Sequence, residues 1–232
     1  MPFLYNSHNF DRYIRPAEYN TLNLAYIIRR GAKLGELLQL TLAKLQTYNQ
    51  SDYLIVKVAA GINNLTKFVY DSGKRNRVLT VSQLSADNLV SILEDFRSRI
   101  LAARPGTIVS FCTIPTASLK KFQDCKNLQA PILSESDLTT AQVYLDQVLD
   151  EVNSRIIALN SGTSHTVSLH SDIRRSSIRR SSTIPREGRR TTIRSKVNLL
   201  YDGLHATSNV KRKWYNAVLS SFLKDSRKAQ QQ

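Results

Sequence analysis

Apolar residues recur along the chain in two rhythms, short continuous runs and longer stripes at helical spacing. Leu34, Leu37, Leu38, Leu42 and Leu45 share one face of a helix predicted over residues 33–48. Leu89, Ile92, Leu93, Phe96 and Ile100 do the same over 86–103, as do Leu138, Ala141, Leu145, Val148, Leu149, Val152 and Ile156 over 137–159. Between and before these stripes lie short apolar runs bounded by turn residues. They are Phe3-Leu4-Tyr5, Leu24–Ile28 ending at Gly31, Tyr53–Ala59 breaking at Gly61, and "PGTIVSFCTIP". "TSHTVSLH" reads as a last short strand, and Thr207 or Ser208 can cap a final helix carrying Trp214, Val218 and Phe222.

Alternating strands and helices imply parallel strands joined by crossover helices. The expected class is α/β, a three-layer α/β/α sandwich of flavodoxin-like type with a mostly parallel sheet, formed by one domain over residues 1–232. In such sheets the chemistry gathers beyond the carboxyl ends of the strands. Ser7, Gly31, the stretch Gly61 to Asn64 and the stretch Asp202 to His205 all fall after a strand or in a loop before a helix.

Composition narrows the class. At 41% hydrophobic, the chain can build a core, and no apolar run approaches the roughly 20 residues of a membrane span. The first residues lack the pattern of a secretory signal, so the expectation is a soluble intracellular protein, cytoplasmic or nuclear. Cys112 and Cys125 have no metal-ligand spacing, and Cys112 reads as a core thiol. No metal and no cofactor are expected.

The net charge of +15 is uneven. Residues 170–196 hold eight Arg and one Lys against Asp172 and Glu187, about half of the excess. Within this stretch "IRRSS" occurs twice, and Pro185 and Gly188 interrupt any regular element. Residues 170–197 therefore read as a basic, low-complexity, mobile insertion. Arginine forks suit phosphates, which makes Arg174, Arg175, Arg179, Arg180, Arg189 and Arg190 candidate nucleic-acid contacts. Arg-Arg-x-Ser/Thr recurs at Ser177, Ser182 and Thr192, a pattern for basic-directed kinases whose phosphates would cancel local charge. The other reading is a solvated loop.

Each remaining motif has a bland reading beside a chemical one. Ser7 can cap a helix over "HNFDRYI", Asn63-Asn64 can be turn chemistry, and "YDGLH" can be a polar turn ahead of the last helix. Their order changes the balance: a Ser near the N-terminus, a Gly, then Gly-x-Asn, then Asp-x-x-His before the final helix. This order resembles the SGNH hydrolases, the GDSL-like esterases and lipases. "AAGINNL" is similar to the family's Gly-x-Asn-Asp block with Asn64 in place of Asp, and "YDGLHATSNVKRKWYNAVL" to its last block. "MPFLYNSHN" departs from the first block, with Tyr5 and Asn6 where Gly-Asp is usual. "YDSGK" at 70–74 comes after the Asn block, the wrong order for Ser72 to be the nucleophile.

The resemblance implies a serine esterase acting on an acyl ester or lipid. Ser7 would be the nucleophile, His205 the base and Asp202 its orienting partner. The backbone N–H groups of Ser7 and Gly31 and the side chain of Asn63 would form the oxyanion hole. Among the family's branches, the short basic form looks most like esterase-type domains of mobile genetic elements. The alternative is an SGNH-like protein without catalysis that holds nucleic acid on its basic surface.

Overall fold

The computed structural model describes residues 2–6, 17–19, 25–29, 31–49, 52–70, 77–125, 133–178 and 191–230. Four parallel strands form the central sheet: β1 (Pro2–Asn6), β2 (Ala25–Ile28), β3 (Ile55–Ala59) and β6 (Ile108–Phe111), in the order β2-β1-β3-β6. Register is continuous, with Asn6 opposite both Ile28 and Ala59. The chain leaves β1 to one side to make β2, then returns to the other side to make β3. The carboxyl ends of β1 and β3 therefore flank the point where strand order reverses, the place such sheets use for ligands.

Alternation along β3 sorts the two outer layers. Val56 and Val58 face a core shared with α1 (Leu34–Leu45), α3 (Ala86–Ala103) and α5 (Glu135–Asn160). Ile55 and Ala59 face the other way, against Trp214, Tyr215, Val218, Leu219 and Phe222 of α7 (Ser208–Gln230). Helix starts follow local chemistry. The hydroxyls of Ser85 and Ser134 accept the N–H groups of Asn88 and Asp137, each satisfying a donor that the first helical turn leaves open. Cys112 is buried in this second core, and burial pushes its thiol up to about 12, an inert thiol at neutral pH.

Three expectations change. "TSHTVSLH" is not a strand: Asn160 O accepts the N–H groups of Thr163 and Ser164, Val167 O accepts that of Thr113, and the N–H groups of His165, Leu169 and His170 go to side chains. The edge of β6 is completed by the amides of α5 instead. Asn160 pairs with the N–H and C=O of Phe111, and Asn153 with those of Ile114. "YDSGK" follows an unforeseen strand, β4 (Thr66–Tyr70), which pairs antiparallel with β5 (Arg77–Val81); residues 71–76, with Ser72, lie outside the described residues. The flanks of the arginine tract also pair, as β7 (Arg174–Ile178) with β8 (Thr191–Ser195), although their sequence carries no regular apolar pattern. Residues 179–190 lie outside the described residues.

One interior position breaks the apolar alternation. Lys57 on β3 is buried, with its ammonium 2.5 Å from Asp225 of α7, 3.1 Å from Ser110 Oγ and 3.0 Å from Ser164 Oγ. Asp225 also accepts the Ser164 hydroxyl and the backbone N–H of His165. Burial pushes the Asp225 carboxyl up, but Lys57 together with the Ser164 and His165 donors outweighs it and holds the carboxyl below its usual range. Burial drives the Lys57 ammonium down, against the pull of Asp225. Removing one partner leaves the other charged and buried, which costs about 3–5 kcal/mol. Asp225→Asn should therefore lower unfolding free energy by about 3 kcal/mol or more in urea titrations. The apolar pair Lys57→Met with Asp225→Leu should recover most of that loss.

Candidate active site

The best-defined part of the candidate site is the turn before α7. The Asp202 carboxylate accepts the backbone N–H groups of Leu204 at 3.0 Å and His205 at 2.7 Å through one oxygen. Its second oxygen lies 2.7 Å from His205 Nδ1. A carboxylate has no proton to give, so Nδ1 donates and the lone pair of Nε2 is left for a substrate or nucleophile proton. The imidazole is 42% exposed and stacks on Tyr201, with ring centroids 5.8 Å apart. Asp202 thus shapes the turn and orients the ring at once.

Gly203 explains how the turn meets the body of the protein. It has φ +84°, and a Cβ there would lie 2.5 Å from Phe122 N and Ser118 O. Only glycine allows both the backbone shape and the close approach. In return Gly203 O accepts the N–H of Ser118 at 2.6 Å, where α4 (Leu119–Asp124) begins. Lys121 of α4 donates to Leu200 O at 2.6 Å and Val197 O at 3.2 Å. Ser118, Lys121 and Tyr201 are supports that the motif reading missed. Only Tyr201 carries a sequence signal, as the neighbour of Asp202.

The loops after β2 and β3 are laced together beside the end of β1. Asn63 Nδ2 donates to Ala32 O at 3.2 Å, next to Gly31, whose φ is +72°. Asn64 Oδ1 accepts the N–H of Leu34 at 3.0 Å, capping α1 from another segment. That role needs only an acceptor oxygen, so Asn64 fills it as an aspartate would. Gly61, at φ +128°, lies so close to Ile114 that a Cβ would stand 2.4 Å from its Cδ1. Because β1 lies between β2 and β3, its C-terminal residue Asn6 ends between these two loops.

Not every expected residue can be followed. Ser7 comes directly after Asn6 but lies outside the described residues, as does the cap it might make for "HNFDRYI". Arg179, Arg180, Arg189, Arg190 and Ser182 also lie outside them. Arg174 is described and is occupied: its guanidinium meets Asp146 at 2.8 Å and Asp150 at 2.6 Å, with its side chain 10% exposed. That removes it from the arginines open to a polyanion. Arg175 is on β7 opposite Arg194, and Ser177 is the register partner of Thr192. Among the described residues no cluster of potential metal ligands occurs, and no helix is long and apolar enough to cross a membrane.

No protein-family model matches the sequence, and no curated protein matches it. Solved structures do. A protein of Parabacteroides merdae described as a GDSL-like lipase superposes with a TM-score of 0.50 at 12% identity, over 95% of this chain and 93% of that one. The fold is that of the SGNH hydrolases. A lipolytic protein of the G-D-S-L family from Veillonella parvula matches with a TM-score of 0.47 at 9% identity, covering 96% of each chain. A protein of Streptococcus pneumoniae described as a platelet activating factor matches at 0.49 and 16% identity, over 97% of this chain and 82% of that one.

The Asp202–His205 contact has a pH signature. Partial burial raises the Asp202 carboxyl, but the His205 backbone N–H, its imidazole and the Leu204 N–H outweigh this and hold it below the usual range. A carboxyl depressed on folding stabilises the fold above its unfolded pKa of about 3.9 and loses that effect as pH falls through the folded value. The stability difference between wild type and Asp202→Asn should therefore shrink as pH falls below about 4. Thermal unfolding of both proteins across this range measures it.

Proposed function

We propose that the chain is a serine hydrolase of SGNH type that cleaves an acyl ester. The observation that carries this reading is the Asp202–His205 pair, with Nδ1 held at 2.7 Å and the imidazole 42% exposed, before α7 on an SGNH fold. In this reading Ser7 Oγ attacks the ester carbonyl while His205 Nε2 takes its proton. The developing oxyanion is held by the N–H groups of Ser7 and Gly31 and the amide of Asn63. His205 then returns the proton to the departing alcohol, and a water, deprotonated by the same imidazole, hydrolyses the acyl-serine. Asp202 keeps the ring in the donating tautomer and stabilises the imidazolium.

Hydrolysis of p-nitrophenyl acetate tests the assignment. His205→Ala and Ser7→Ala should each lower kcat by about a thousandfold. A fluorophosphonate should label Ser7, read by peptide mass spectrometry. Full activity in either variant, or labelling at another serine, overturns it.

The charge of +15 favours a second property, polyanion binding by the arginine tract. The contacts would be Arg175, Arg179, Arg180, Arg189 and Arg190, with phosphorylation of Ser177, Ser182 and Thr192 weakening them. Affinity for a single-stranded oligonucleotide should fall steeply between about 50 and 200 mM salt. It should also fall when these five arginines are replaced by alanine. Unchanged affinity in the variant removes the tract from the reading. Binding without ester turnover would favour a protein that keeps the fold and not the catalysis.

A further inference from the structure

The residues on either side of Gly203 form a miniature hairpin. Leu200 and Ala206 are bridged antiparallel. The N–H of Thr207 donates to Leu199 O at 2.8 Å, and that of Tyr201 donates to His205 O at 2.8 Å. Leu200 and Ala206 are both buried, in the core that α7 closes. Successive side chains of paired extended segments alternate in direction, so the next opposed pair, Tyr201 and His205, is turned outward together. Their rings meet at 25° from parallel, with the 5.8 Å centroid spacing of an aromatic pair. On the α7 side, the Lys211 ammonium lies 6.0 Å from the same Tyr201 centroid.

This contact restrains what Asp202 leaves free. The bond from Nδ1 to Asp202, at 2.7 Å, holds one edge of the imidazole but is an axis about which the ring can tilt. A stacked ring holds the plane. Nε2 has to face the serine hydroxyl and then the departing alcohol, and its heading follows from that plane. The Tyr201 phenol is pushed up from its usual range, first by burial and then by the Asp202 carboxylate, so at neutral pH it brings no charge to the pair.

We propose that Tyr201 is a positioning residue that sets the plane of the His205 imidazole, through its ring and not through its hydroxyl. Its effect on turnover rests on the hydrolase reading above. An aromatic pair is worth up to about tenfold beyond the area it buries. Without the ring the imidazole spreads over headings that do not reach the nucleophile, which lowers kcat and leaves ester binding alone.

Tyr201 is 62% exposed, so its truncation removes the stack without opening the core. The test compares kcat and KM for p-nitrophenyl acetate in wild type, Tyr201→Ala and Tyr201→Phe, alongside NMR of the His205 ring protons, assigned by their loss in His205→Ala. Tyr201→Ala should lower kcat by about tenfold with KM unchanged, and Tyr201→Phe should restore kcat. The His205 ring signals should move in Tyr201→Ala, as the shielding of the stacked ring is lost, and return in Tyr201→Phe. Wild-type kcat in Tyr201→Ala, a Tyr201→Phe as slow as Tyr201→Ala, or His205 signals that Tyr201→Ala does not move overturns the proposal. A wild type that does not hydrolyse the ester, with ring signals that move and return as expected, upholds the positioning of the imidazole and refutes the hydrolase reading instead.

Discussion

The buried ion pair between Lys57 and Asp225 sets the position of the last helix, and through it the candidate site. Lys57 belongs to β3, the strand that runs on into Gly61 and Asn63; Asp225 lies late in α7, whose other end follows His205. One contact thus couples the strand that leads to Asn63 with the helix that follows the Asp202–His205 turn. Apolar packing of Trp214, Val218 and Phe222 presses α7 against the sheet but tolerates sliding, because apolar contact has little direction. A charge pair in a dry interior is different. It tolerates little displacement, since an unpaired buried charge is costly, and Ser110, Ser164 and His165 further confine it.

The same logic of a polar group satisfied in one place only recurs at the candidate site. Asp202 takes two backbone N–H groups and the imidazole, so its two oxygens define both the turn and the ring. Gly203 lets that turn sit against the start of α4, and the Ser118 N–H, which the helix start leaves open, becomes the tether. The loops after β2 and β3 are joined by Asn63 and Asn64 in the same manner. Side-chain amides and backbone donors, more than apolar contact, decide where the candidate residues stand.

This explains which parts of the structure could be read from sequence. Leu89, Leu93, Phe96 and Ile100 repeat at helical spacing because one face is buried, and the helix is found within the expected bounds. Asp202 and His205 were legible because a short-range turn brings them together. The β4–β5 and β7–β8 hairpins were not, since their connections are longer than the two to five residues of a tight hairpin and their strands lack clean alternation. "TSHTVSLH" looked like a strand because its alternation is real; Val167 and Leu169 do face the core. Its backbone finds side-chain partners, which no periodicity can report. The Lys57–Asp225 pair spans 168 residues, and a lysine inside an apolar strand gives no hint of which acid will meet it.

The distribution of charge also acquires direction. Arg174 is neutralised by Asp146 and Asp150, and Asp172 holds Lys213 and the Trp214 indole, so the base of the basic tract is electrostatically tied to α5 and α7. The N–H of Lys196 donates to Ile173 O at 2.6 Å, which closes the neck where the tract leaves the fold. The remaining arginines of residues 175–194 have no such acidic complement in their own stretch beyond Glu187. In sequence the excess positive charge is therefore concentrated in one short stretch, whose two ends, Ile173 and Lys196, meet ahead of the segment leading to Asp202.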